Sequence, residues 1–145
     1  MVGDLIESRI DGQFDGWYGE TIFPLQNRQY WQQAIYAYRY HYAYSPAVRI
    51  VCDSSGCEMH VDGIDEAIAV KQVDVVVDSQ IVSQFDGWDG DTLFELLNGQ
   101  VWQQSGPGVA VSVAIQPRAL IFSVGGFFKL HVAGVSSNVQ VERIR

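Results

Sequence analysis

Positive charge is scarce in this 145-residue chain: nine lysines and arginines stand against 17 acids, for a net charge of −8. Such a surface repels phosphate backbones, so nucleic acid is an unfavourable partner, and anionic membranes are disfavoured for the same reason. Long apolar runs are missing as well. With no stretch of about 18 apolar residues, no membrane-spanning helix is expected. Met1-Val2-Gly3-Asp4 has neither the basic region nor the apolar core of a signal peptide, so the expectation is a cytoplasmic protein.

Other absences narrow the chemistry. There is no sustained apolar period of 3.6 residues, which argues against helices. There is no glycine-rich phosphate loop of a standard type. No Ser or Cys nucleophile stands at a recognisable catalytic spacing from a histidine. Only two cysteines occur, Cys52 and Cys57, around Asp53-Ser54-Ser55-Gly56. For a reducing compartment the favoured reading is two unbonded small apolar residues on facing strands of a hairpin, although geometry permits a cross-strand disulfide. Adding His60 or His41 does not complete four ligands at metal spacing. Neither a metal nor a cofactor is expected.

What the chain does have is a copy of itself. Shifted by 71 positions, Asp4–Asp74 aligns without a gap on Val75–Arg145, and about a third of positions are identical. Gln13-Phe14-Asp15-Gly16-Trp17 lands on Gln84-Phe85-Asp86-Gly87-Trp88, and Trp31-Gln32-Gln33 lands on Trp102-Gln103-Gln104. Two domains follow, residues 4–74 and 75–145. The first holds 11 acids and five bases, net −6; the second holds six and four, net −2.

Within each copy, short runs rich in Val, Ile, Tyr, Phe and Trp alternate with Gly, Asn, Asp and Ser, which is a β pattern. About five strands per copy are expected. The Asp15–Glu20 stretch reads as a turn scaffold, with glycines for unusual φ, and its likeness to a calcium loop is superficial. Asn98-Gly99 marks a hairpin, with Arg28 replacing the glycine in the first copy. Pro46 and Pro117 end a long strand at the same register. Short strands cannot leave both sheet edges bare, so the predicted fold is all-β: two tandem SH3-like small barrels. Val73-Asp74-Val75-Val76-Val77-Asp78 lacks linker character and reads as strand running into strand, so the barrels are expected to pack with approximate two-fold symmetry.

The candidate binding residues are aromatic. All seven tyrosines lie in the first copy, and Tyr36, Tyr38, Tyr40, Tyr42 and Tyr44 alternate along one strand, hence share a face. The second copy has Val109, Val111, Val113 and Ile115 opposite the last four. An apolar face in both copies favours burial, in a core or in an inter-repeat or dimer seam. Tyrosine differs from valine in its polar tip, however, which suits a half-wet platform for a sugar, a peptide or an exposed base. Trp17 and Trp88 recur in both copies; each reads as a core ring or as an aromatic contact in a ligand groove. His60 and His131 recur on strands and read as structural.

The segment Leu96-Leu97-Asn98-Gly99-Gln100-Val101-Trp102-Gln103-Gln104, with its first-copy counterpart and the Ile6–Thr21 and Tyr36–Pro46 runs, resembles a group of uncharacterised bacterial proteins carrying an LxNGQxWQQ-type motif. The resemblance covers both repeats and implies a bacterial source and a small β unit. It supplies no catalytic residue. The expected function is therefore a non-enzymatic binding or interaction module for a protein or small ligand. The alternatives are an enzyme acting on a sugar or small molecule in an inter-repeat cleft, with Asp15, Asp86, His60 or His131 as acid–base candidates, and an oligomer-building subunit, a homodimer joined through the tyrosine face.

Overall fold

The computed structural model describes residues 4–145. The fold is all-β and antiparallel, and the described residues form 15 strands and no helix. None is therefore available as a long apolar membrane-spanning helix. The chain divides into two compact units, the first ending at Val73 and the second beginning at Asp74.

Unit one contains β1 (Asp4–Arg9), β2 (Gln13–Tyr18), β3 (Ile22–Pro24), β4 (Tyr30–Gln33), β5 (Tyr38–Tyr44), β6 (Ala47–Asp53), β7 (Gly56–Val61) and the start of β8 (Ile68–Gln80). Its main pairing path runs β1-β6-β7-β8-β4-β3, and β2 pairs separately with β5. Unit two takes the rest of β8, followed by β9 (Gln84–Trp88), β10 (Leu93–Glu95), β11 (Val101–Gln104), β12 (Ala110–Ile115), β13 (Arg118–Val124), β14 (Phe127–Val132) and β15 (Val139–Arg143). Its path is β8-β13-β14-β15-β11-β10, with β9 and β12 as the separate pair. The wiring is the same in both units. β8 changes ladders at the boundary, pairing with β4 and β7 up to Val73 and with β13 from Asp74 onward.

Two expectations need correction. Each unit has eight strand segments where about five were expected, and neither path closes into a barrel. The ends of each path meet at one bridge only, Ile10 with Leu25 and Ile81 with Leu96. The cause lies in β3 and β10, which are three residues long. A strand that short, ending at Pro24 in unit one, cannot sustain a closing ladder. The extra strands come partly from β2, whose second half lies in the Asp15–Glu20 stretch read from sequence as a turn scaffold. Gly16 and Gly87 do not make a turn. A Cβ on Gly16 would fall 1.8 Å from the Arg39 carbonyl oxygen, and on Gly87 1.9 Å from that of Ala110. Glycine is there because φ is positive, 93° at Gly16 and 101° at Gly87, and because two backbones meet.

Each unit encloses its own core. Trp17, Phe14, Phe23, Trp31, Ile50 and Met59 cluster in unit one, and Trp88, Phe85, Phe94, Trp102, Ile121 and Leu130 cluster in unit two. The repeated NxQxW sequence builds the hairpin beside this core. Asn27 Oδ1 accepts the Gln29 N–H at 2.9 Å, and Asn98 Oδ1 accepts that of Gln100 at 3.0 Å. The residue between turns left-handed, Arg28 at φ 70° and Gly99 at φ 90°. Gln29 and Gln100 then accept the indole N–H of Trp31 and Trp102 at 3.1 and 2.9 Å, so neither ring buries an unpaired donor.

Cys52 and Cys57 are bonded to each other, which corrects the unbonded reading. Register explains it: they are direct cross-strand partners in the β6–β7 hairpin, next to the Asp53–Gly56 pair, with Cα atoms 4.0 Å apart. The expectation of free thiols rested on the compartment, and the ladder geometry decides otherwise. Closing so short a loop removes little chain entropy, roughly 2 kcal/mol in the loop-closure picture. Reduction should lower stability by about that amount. Urea midpoints of the oxidised protein and the Cys52→Ala/Cys57→Ala variant measure it, and equal midpoints would refute the estimate.

Candidate binding surface

The tyrosine strand is positioned through its backbone. Gln33, buried on β4, uses its whole amide. Its Oε1 accepts the N–H groups of Gly19 and Thr21 at 3.1 and 3.4 Å. Its Nε2 donates to the carbonyls of Ile35 and Ala37 at 2.9 and 2.7 Å. One side chain thus ties the β2–β3 turn to the segment that enters β5. Gln104 repeats the arrangement, accepting from Gly90 at 2.8 Å and donating to Gly106 and Gly108 at 3.0 and 2.9 Å. These buried glutamines are the positioning residues that the sequence reading missed. Their signal was present in the repeated Trp-Gln-Gln, since a polar residue kept in both copies beside a core tryptophan has a buried partner to satisfy.

Past this brace, β5 lies on β2, with Gly16 opposite Tyr40. Strand alternation then divides the side chains. Ala43 turns inward to the core with Phe14 and Trp17. Tyr36, Tyr38, Tyr40, Tyr42 and Tyr44 turn outward and are 58–81% exposed. This overturns the reading that placed the tyrosines in a core. The inner face is already filled by Trp17, Phe14 and Trp31, with Ala37 and Ala43 packed against them and the His41 ring 6.4 Å from that of Phe14. Tyr36 and Tyr38 meet edge to face, centroids 5.3 Å apart, with their hydroxyls 2.6 Å from each other. That hydroxyl contact raises the Tyr36 pKa above its usual value, with Glu20 nearby adding to it. On β2, Gln13 stands opposite Tyr44 and holds Asp15 through bonds of 3.0 and 3.1 Å.

The other predicted residues lie elsewhere. Trp17 and Trp88 are 3% and 4% exposed and belong to the cores, although Trp88 also borders an open groove beside Val109 and Val111. The burial of Trp17 corrects its inclusion among the binding residues. Asp86 is exposed and held by Gln84 at 2.7 Å, as Asp15 is by Gln13. His60 lines an open groove of about 540 Å³ with Ile35, Val51, Glu58 and Ala69. His131, its repeat counterpart, is 3% exposed, with Nδ1 2.9 Å from Asn138 Oδ1. Burial pulls its pKa down to about 4, against the opposing effect of the Asn138 bond. Among the described residues no group of three His, Cys, Asp or Glu side chains is placed to hold a metal ion.

In unit two the equivalent face carries Val109, Val111, Val113 and Ile115, 69–88% exposed. The outward stripe is therefore a property of the fold, and the tyrosines are a property of unit one. No family model, curated protein or solved structure matches this chain.

Proposed function

We propose that this chain is a non-enzymatic binding module whose contact surface is the tyrosine face of β5, and that its partner is an extended, positively charged polypeptide segment. The observation that carries the reading is the exposure of four alternating tyrosines on β5 and of Tyr36 just before it. Tyrosine rings give rigid contact area at low entropic cost, and their π faces attract cations. Charge agrees with this: residues 4–74 are net −6, Glu20 acts on Tyr36, and Asp15 stands in the β2 bulge across from His41 and Tyr42. The proposal retains SH3-like architecture for each unit as an open, coiled path, supported by the bridge that joins the path ends.

Titration with an oligo-arginine peptide, followed by NMR, tests the surface. The expected result is shifts centred on Tyr38, Tyr40 and Tyr42, and at least about tenfold weaker binding by Tyr40→Ser/Tyr42→Ser, which leaves every charge in place. Shifts scattered over the acids, or equal affinity for the double variant, would reduce the interaction to general charge attraction and remove the site.

A further inference from the structure

We infer that the aliphatic stripe of β12 is a seam between two copies of this chain, a surface separate from the tyrosine face. Ser105–Pro117 is 13 residues without a charge. Within it, Val109, Val111, Val113 and Ile115 point to solvent. Apolar stripes on exposed strands are usually guarded by charge, because unguarded ones associate. In unit one, the equivalent strand carries Arg39 and His41. The one guard on β12 is a bulge, where Ser112 and Val113 lie opposite Asp86.

The occupant follows from symmetry and charge. Read in either direction from Ser112, the strand is nearly the same: Ala or Val at each step, with Ile115 answering Val109. A two-fold axis through Ser112 sets Val111 against Val113 of the second copy and Val109 against its Ile115. Such self-complementarity is what an isologous dimer requires. Shape agrees at the ends. An open groove of about 460 Å³ borders Val109 and Val111, lined also by Asp86, Gly87, Trp88 and Asp89. The same axis brings the larger Ile115 of the second copy to that groove. The two acids there are already engaged, Asp86 with Gln84 and Asp89 with the Thr92 hydroxyl. Electrostatics selects this unit over the other, since two copies joined through residues 75–145 oppose −2 with −2, and through residues 4–74 they would oppose −6 with −6. One stripe is smaller than the roughly 800 Å² per partner of a standard interface, so the dimer belongs to the weak, concentration-dependent class.

Sedimentation from micromolar to millimolar protein tests the seam. The wild-type mass should rise to that of a dimer, Val111→Lys/Val113→Lys should stay monomeric, and Tyr40→Ser/Tyr42→Ser should still dimerise. Both valines are highly exposed, so the lysines disturb no core, and circular dichroism checks this. A second measurement does not depend on that variant: Val111→Cys mixed with Val113→Cys under mild oxidation should cross-link as a mixed pair in preference to either like pair. A wild-type monomer at every concentration, a dimer that survives the lysines, loss of the dimer in the tyrosine variant, or unselective cross-linking would each overturn the inference.

Discussion

Gln33→Leu should unfold at a clearly lower urea concentration than the wild type, with a stability loss of roughly 3 kcal/mol. Leucine matches the size of the amide and makes none of its bonds. Two backbone donors, at Gly19 and Thr21, and two acceptors, at Ile35 and Ala37, would lose their partner together. A buried polar group left unmatched costs about 1–3 kcal/mol, and water reaching the partly buried carbonyls limits the sum. Gln33→Glu should fare no better, because a carboxylate cannot donate to the carbonyls. Gln32→Leu is the control. Its single bond, to the Glu20 carbonyl, is 3.4 Å long, so its loss should stay under about 1 kcal/mol. If the two leucine variants unfold at the same urea concentration, the bracing role of Gln33 is wrong.

Acid should destabilise the protein through His131. The folded-state pKa is about 4 and the unfolded value is 6.5, so the unfolded chain takes up the proton first. Above pH 6.5 the histidine is neutral in both states, and the stability it permits is fully present. As pH falls through the window between those values, each pH unit removes about 1.4 kcal/mol. The total approaches roughly 3 kcal/mol near pH 4, below which both states are protonated and the effect levels off. His131→Gln, neutral at every pH, should lack this segment of the profile. Urea unfolding of both proteins at pH 7 and near pH 4.5 gives the comparison. Parallel losses in the two would assign the acid sensitivity to carboxylates instead.

The strands legible in the sequence were those with strong punctuation. Asn98-Gly99 marked its hairpin, and the prolines marked the end of β5 and β12. β2 was missed because a glycine at positive φ occurs in turns and in bulged strands alike, and Gly16, at φ 93°, stands in a strand. The direction of the tyrosine face was missed for a related reason. A period of two separates two faces without naming the inner one, and here both faces carry apolar residues. What decides is the volume already taken by Trp17, Phe14 and Trp31, which is a tertiary quantity. The disulfide was set aside on the expected compartment, although the sequence already put both cysteines on facing strands of the β6–β7 hairpin. The glutamine brace was visible as a repeated pair of letters whose partners, all backbone atoms, leave no mark in the sequence.

That last point bears on how the two units came to differ. β5 and β12 are placed by a glycine against a carbonyl and by an amide against backbone groups, contacts that are blind to the outward side chains. Mutation along the outer stripe therefore meets little resistance from the fold. The two units differ there, tyrosine in one and valine and isoleucine in the other, over the same scaffold. The outward stripe is thus the part of this architecture whose composition folding constrains least.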